Sequence, residues 1–473
     1  MSTPLLYGRR VRGQLGAVPG TRQPGGPAAR AQLRPGTWPL VVLFVWFPAW
    51  WLLGLGSFTW IIVPIPMLAS LIWRQRLRVP VAFILWLAFT SWVLLSGLQL
   101  ESGTKIITFC YRLALYAAAG VLFVYTYNLP RSTVLDTKIL RILTAFWMIV
   151  VAGGYAGILV GAHTFTPPFE TLLSPGLRSQ PFVQELVQPV FAEVQGFLGY
   201  PIPRPAAPFT YSNYWGGNVA VLTPVAIAAA LAAGRGARRR LIVAVLIASL
   251  VPMVFSLNRG MFLSLGIGIV YVTLRLAQRG RLAALGSLLA LAALVALILV
   301  ATPLGHLVAA SFSSTHGRSN ATRLSVSQQA IAGARQSPVF GHGEPQPVPG
   351  QSRLPAIGTQ GQLWTVLYSN GFPAAIFFVG FFTAVLWQTR RARGMAGLWL
   401  HTVPLVALPQ IVVYGWLPVE LQVVMVAAAL AYRYSWRPAG RPGPGAPGPG
   451  RMEAGVPPLG GAGPGRAIRA RSP

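Results

Sequence analysis

L-I-V-A-V-L-I-A-S-L-V-P-M-V-F-S-L-N-R-G-M-F-L-S-L-G-I-G-I-V-Y-V-T-L-R-L, residues 241–276, reads as two apolar runs hinged on Asn258 and Arg259. Each half, 241–257 and 260–276, approaches the roughly 20 residues a helix needs to cross a bilayer. A soluble helical pair would alternate polar and apolar faces, and neither half does. Similar runs lie at 38–56, 57–73, 80–98, 105–127, 139–160, 215–233, 282–303, 363–387, 396–413 and 415–433. The expected fold is therefore an all-α polytopic membrane protein with about 12 transmembrane helices. The count falls to ten if the shorter runs do not span, and Pro48, Pro64 and Pro66 mark breaks in 38–73.

Composition agrees. Only 10% of the 473 residues are charged and 54% are hydrophobic, whereas soluble domains carry roughly 25% charge. The formal charge of +30 comes from 38 Lys and Arg against 8 Asp and Glu. A nucleic-acid binder would gather its basic residues on a soluble face. Here they sit in the tails and in turns between apolar runs, which points to membrane lipids as partners and not to nucleic acid. The single cysteine, Cys110, excludes an intramolecular disulfide.

Charge also orients the chain. The N-terminal arginines fall on one side with Arg74/Arg76/Arg78, Arg131/Lys138/Arg141, the Arg235–Arg240 cluster, Arg275/Arg279/Arg281, Arg390/Arg391/Arg393 and the C-terminal tail. The positive-inside rule makes that side cytoplasmic, with both termini there. Residues 1–37 and 436–473, rich in Arg, Gly and Pro, read as disordered cytoplasmic tails around a transmembrane domain over 38–435. The first apolar run is too long for a cleaved signal peptide. Two long segments face outward: 161–214, rich in proline and aromatics, and 304–362, the polar island of the chain.

The outward side carries arginines that simple charge sorting does not explain. Arg259 stands in the short turn S-L-N-R-G (256–260), and Arg318 and Arg323 lie in H-G-R-S-N-A-T-R (316–323). The guanidinium fork matches phosphate oxygens, so such arginines suit an anionic headgroup, a diphosphate above all. The plainer alternative is solvated loop residues that reach ordinary lipid phosphates; Arg335 and Arg353 fit it better. In S-P-V-F-G-H-G-E (337–344), His342 is able to shuttle a proton, and Glu344 is the one carboxylate of the 304–362 loop. An exposed turn accounts for the same letters. In I-G-T-Q-G-Q-L-W (357–364), Gln360 suits orientation of a reacting group, and Gln362 and Trp364 suit contact with sugar hydroxyls and rings. Tyr211, Asn213 and Asn218 in Y-S-N-Y-W-G-G-N (211–218) form a second polar entry able to meet a glycan, or simply an interfacial helix start.

Other chemistry finds no pattern. The five histidines lack metal-ligand spacing, so no metal is expected. There is neither a P-loop nor a dinucleotide fingerprint, and no cofactor is expected. Asp136, the one aspartate, falls in a basic cytoplasmic turn.

Together the S-x-x-R turn (Ser256–Arg259), the large late outer loop, the run Arg323, Ala330, Ser337–Pro338, Gly341, Gly343, and the exit T-Q-G-Q-L-W (359–364) resemble the bacterial O-antigen ligase and O-antigen polymerase superfamily. The resemblance covers roughly 38–435. It implies a GT-C-like membrane glycosyltransferase at the outer face of the bacterial cytoplasmic membrane. Such an enzyme, working without metal, takes glycan from a polyprenyl-diphosphate-linked donor and passes it to a glycan, lipid or protein acceptor. It further implies that Arg259 and Arg323, with Arg318, hold the donor diphosphate. Ligases of the family carry a histidine near the end of the large loop; this sequence has Gln360 there, and its nearest histidine is His342. Ligase versus polymerase, and the oligomeric state, stay open. The competing class is a transporter or flippase for a lipid-linked precursor, which predicts repeated halves and charges at helix midpoints.

Overall fold

The chain is described by a computed structural model over residues 36–74, 76–100, 103–195, 201–290, 316–348 and 355–435. Both tails, most of the 282–303 run and parts of the 304–362 loop, Arg353 included, lie outside the described residues.

Helices form where the apolar runs are. They are α1 (Thr59–Ile72), α2 (Phe83–Ser96), α3 (Ile106–Asn128), α4 (Thr133–Val160), α5 (Ser212–Ala232), α6 (Ala237–Ser256) and α7 (Arg259–Ala277). After these come α8 (His316–Gln336), α9 (Gln362–Thr389), α10 (Gly394–Ala407) and α11 (Glu420–Ser435). Among the described residues, seven helices are long and apolar enough to cross a membrane: α3 to α7, α9, and α10 with its extension to Val412. The protein is thus a multi-pass membrane protein by length and composition.

The expected runs at 38–56 and 57–73 are broken. Trp38–Leu40 passes into a π-turn at Val41–Val45, Pro48 sits in the first turn of a short helix, and Pro64 divides α1 into Thr59–Ile62 and Pro64–Ile72. Proline has no N–H to give a continuing helix, so it opens a new one. The run at 415–433 begins helically only at Glu420, after the Gly415–Val419 turn.

The core is aromatic on one side and small-residue on the other. Trp86 and Phe89 of α2, Tyr116 and Phe123 of α3, and Phe378, Phe381 and Phe382 of α9 interlock edge to face around Trp416. Val423 through Ala431 of α11 are fully buried, as expected of an apolar helix surrounded by others. Near its end, Arg433 reaches Asp136 at the start of α4 (Nε–Oδ1 2.5 Å) and donates to the Leu129 carbonyl at 2.6 Å. The one aspartate is therefore spent on a buried structural clamp.

The 161–214 segment folds as short helices and one antiparallel hairpin, β1 (Ala192–Gln195) paired with β2 (Ile202–Pro205). Its aromatics turn inward: Phe191 meets Trp51, Phe169 meets Phe58, and Phe182 meets Tyr111. Gly153 and Gly157 of α4 let this cap lie close, because a Cβ there would stand 2.4 Å from the Ala207 carbonyl oxygen or 2.5 Å from that of Phe191.

Candidate functional site

The α6–α7 turn is built by its own polar letters. Leu257 adopts a left-handed conformation (φ 51°), and Asn258 caps α7 by accepting from the Met261 N–H at 3.1 Å. The Ser212 carbonyl at the head of α5 accepts from the Asn258 amide at 3.4 Å, and the Tyr414 hydroxyl donates to Asn258 Oδ1. Arg259, the next residue, is held half-buried beside Tyr414. Arg204 on β2 enters from the hairpin, its Nε donating to the Ser256 carbonyl at 2.7 Å while Glu193 stands 4.0 Å from its Nη1. Arg323 of α8 lies within electrostatic reach of Arg204, Arg259 and Tyr414 alike. Three arginines from a hairpin, a turn and a loop helix thus converge around one tyrosine.

Burial and neighbouring positive charge act together on the arginines of this cluster. Burial lowers Arg204 from its ordinary value, Glu193 and Tyr414 oppose that, and Arg323 adds to it. Burial pushes the Tyr414 phenol up to about 12, against the pull of Arg323 and Arg204, so the hydroxyl remains a donor at neutral pH. Glu193 stands at the limit of ion-pair distance from Arg204, 4.0 Å from its Nη1.

The other expected residues take distinct places. Arg318 lies on α8, its side chain outside the described residues, and Arg335 ends that helix exposed. The S-P-V-F-G-H-G-E stretch plugs a break in α9. Gly371, at φ 80°, interrupts the helix, and the freed carbonyls of Tyr368 and Ser369 accept from the N–H groups of His342 (3.0 Å) and Gly343 (2.8 Å). His342 stacks on Tyr368 with ring centres 4.6 Å apart, and its Nε2 meets the Gly333 carbonyl at 3.0 Å. Buried Glu344 pairs with Arg112 of α3 at 2.6 Å; burial raises its carboxyl from the ordinary value while Arg112 and Lys105 oppose the shift. Gln362 is buried and bridges Tyr116 Oη (2.7 Å) to the Trp416 N–H (3.0 Å). Trp364 donates to the Val412 carbonyl at 2.8 Å, and Gln360 is half-buried in the preceding turn. Tyr211 is exposed and hydrogen-bonds Glu185; Asn213 is half-buried one turn away; Asn218 is fully buried, its amide donating to the Tyr214 carbonyl at 2.9 Å.

Sequence reasoning missed Arg204, Tyr414, Arg112 and Glu420. Two of these had a signal: Arg112 is a lone arginine inside the 105–127 run, and Glu420 is the sole acid of 355–435. An ionisable group inside an apolar run is a functional candidate by default.

The fold and this site define a multi-pass membrane protein with three arginines gathered around Tyr414. Residues 242–388 match the family model described as O-antigen ligase, which bears out the resemblance to the O-antigen ligase and polymerase superfamily. The matched stretch, from within α6 to the last turn of α9, contains Arg259, Arg323, His342, Glu344, Gln360 and Gln362. Arg204, Tyr414 and Glu420 fall outside it. No curated protein matches the chain.

Proposed function

We propose that the protein is a membrane glycosyltransferase that uses a polyprenyl-diphosphate-linked glycan as donor at the outer face of the bacterial cytoplasmic membrane. The observation that carries this reading is the convergence of Arg204, Arg259 and Arg323 on Tyr414, two of the three within the stretch that matches the O-antigen ligase family. Arginine forks suit the two phosphates, and they stabilise the charge that develops on the leaving diphosphate as the anomeric C–O bond breaks. The Tyr414 hydroxyl orients the turn and supplies a neutral donor beside it. Tyr211, Asn213, Gln360 and Trp364, on the elements that rim this cluster, are the groups proposed to meet the glycan. Arg318 precedes Arg323 on the same helix and is a further phosphate candidate.

His342 and Glu344 are proposed to act by holding the broken α9 and Arg112 in place, since both already have close partners. The topology that accompanies this reading has about twelve spans, a GT-C-like arrangement, and both basic tails in the cytoplasm. The test is glycan transfer from a polyprenyl-diphosphate donor by purified wild type, Arg259→Ala and Arg323→Ala. Removing one charge-stabilising donor is expected to slow turnover by roughly 100-fold or more, with the melting profile retained. Full turnover by both variants would refute the diphosphate site; a wild type that moves lipid-linked glycan across vesicles yet transfers none would favour a flippase.

A further inference from the structure

A second polar nook lies next to the arginine cluster. It is a small cavity of about 30 Å³, room for about two water-sized groups. Its lining includes Tyr214 and Asn218 of α5, Glu185 of the outer segment and Glu420 at the head of α11. Glu420 is 1% exposed, and neither carboxyl oxygen has a hydrogen-bond partner. Asn218 Oδ1 and Gln410 Oε1 are fully buried and equally unpartnered. Their amide N–H groups are already committed, Asn218 to the Tyr214 carbonyl at 2.9 Å and Gln410 to the Val406 carbonyl at 3.0 Å, so the orientation of both oxygens is fixed. In and around the nook lie four unpartnered acceptor oxygens, and Trp416 of its lining carries one unpartnered donor, Nε1. Buried polar atoms left in this state are costly unless something that donates comes to them.

Position gives this cluster its meaning. Gly216 and Gly217 are consecutive on α5. A Cβ on Gly216 would strike the Asn258 amide of the arginine turn at 2.0 Å, and one on Gly217 would strike Glu420 Oε2 at 2.1 Å and lie 3.2 Å from Gln410 Oε1. One step along a single helix therefore separates the carboxylate from the turn that carries Arg259. Tyr414 faces both, bonded to Asn258 and within electrostatic reach of Glu420.

We propose that Glu420 is the general base that takes the proton from the acceptor's sugar hydroxyl. The inference rests on the glycosyltransferase reading above. The hydroxyl oxygen bonds to the anomeric carbon, the anomeric C–O bond to the diphosphate breaks with its electron pair, and the hydroxyl proton passes to Glu420. Once protonated, Glu420 is a donor, and the Gln410 oxygen beside it is the acceptor that receives it. A buried carboxyl without a cationic partner is the environment in which enzymes keep such bases. The ionisable groups facing it are Tyr214, Tyr414 and Glu185.

The experiment compares wild type, Glu420→Gln and Glu420→Asp for polyprenyl-diphosphate binding, transfer rate against pH, and melting temperature with and without sodium. Glu420→Gln is expected to bind the diphosphate lipid as wild type does and to transfer roughly 100-fold or more slowly at every pH. Its melting temperature is expected to equal or exceed wild type, because its new N–H group finds the Gln410 or Asn218 oxygen. Glu420→Asp is expected to keep part of the activity and the acid-side fall of the wild-type profile. Wild-type transfer by Glu420→Gln overturns the base while leaving the arginine site standing. Sodium that raises the melting temperature of wild type but not of Glu420→Gln also overturns it, in favour of a cation site. A wild type that neither binds the lipid nor transfers fails earlier, and takes both readings with it.

Discussion

Tyr414 is the residue on which the arginine site turns. Its phenol is protonated at neutral pH in any surroundings, and burial raises its folded value further, to about 12, above its ordinary value near 10. A raised value means the group's contribution to stability is complete below pH 10 and is lost only as pH climbs through about 12. No pH dependence near neutrality is expected from it. Tyr414→Phe should therefore act through the lost hydrogen bond to Asn258 alone. The expected loss is about 1 kcal/mol of stability, read as a small drop in melting temperature, with a larger fall in transfer as the Arg259 turn loosens. Equal transfer by the two proteins would remove Tyr414 from the site. Arg204→Lys is a second residue-scale test. It keeps the charge but loses the fork and the Nε bond to Ser256, so diphosphate affinity should fall several-fold without loss of fold. Arg259 was legible in sequence because a charge in so short a turn between apolar helices is costly to hold there unless it binds an anion. Arg204 was not, because it sits in a proline-rich segment whose hairpin only the three-dimensional fold brings to Ser256. Tyr414 was hidden among aromatics that look like interfacial anchors.

At the scale of elements, two joints carry testable strain and charge. The first is the break in α9. Gly371 stands at φ 80°, and a Cβ there would lie 2.4 Å from the Val339 carbonyl oxygen, a backbone atom that cannot swing away. Gly371→Ala is expected to cost upward of about 1–3 kcal/mol and to release the His342–Gly343 plug, seen as a lowered melting temperature and faster proteolysis in 337–348. An unchanged melting curve would mean the break is not needed. This joint also shows where sequence and structure part. The S-P-V-F-G-H-G-E letters invite a catalytic reading, yet the glycines and His342 first answer carbonyls that a helix break left open. That need is invisible until α8 and α9 are seen side by side. The second joint is the clamp of Arg433 on Asp136, both nearly fully buried. Asp136→Asn leaves a buried guanidinium without its counter-charge, a change that typically costs about 3–5 kcal/mol. The Leu129 and Pro130 carbonyls, at 2.6 and 2.8 Å, remain to hold it, so the lower end is expected. Asp136→Leu with Arg433→Met should melt above either single variant, since no unpaired charge is left.

For the whole molecule, the decisive question is which side of the membrane the arginine site occupies, and α4 provides the ruler. Its 28 residues from Thr133 to Val160 extend about 42 Å at 1.5 Å per residue, more than the roughly 30 Å of hydrocarbon. A helix of that length that crosses the bilayer has its two ends in opposite aqueous phases. Val134 at one end and Leu172 just beyond the other are each 80% exposed. The Leu172 side also carries Arg204, which bonds Ser256 of the Arg259 turn, so one label there reports on the whole site. Replacing the exposed native Cys110 by alanine gives a background for Val134→Cys and Leu172→Cys. In intact cells an impermeant maleimide should label the cysteine at 172 and spare that at 134, which should react only after permeabilisation. The apolar runs were readable because a bilayer imposes one length on every crossing, but their sidedness rests on the arginine distribution, a statistical bias of insertion that packing does not enforce. The reverse labelling pattern would put the three arginines in the cytoplasm, away from any acceptor outside the membrane, and the proposed transfer reaction would fall with it.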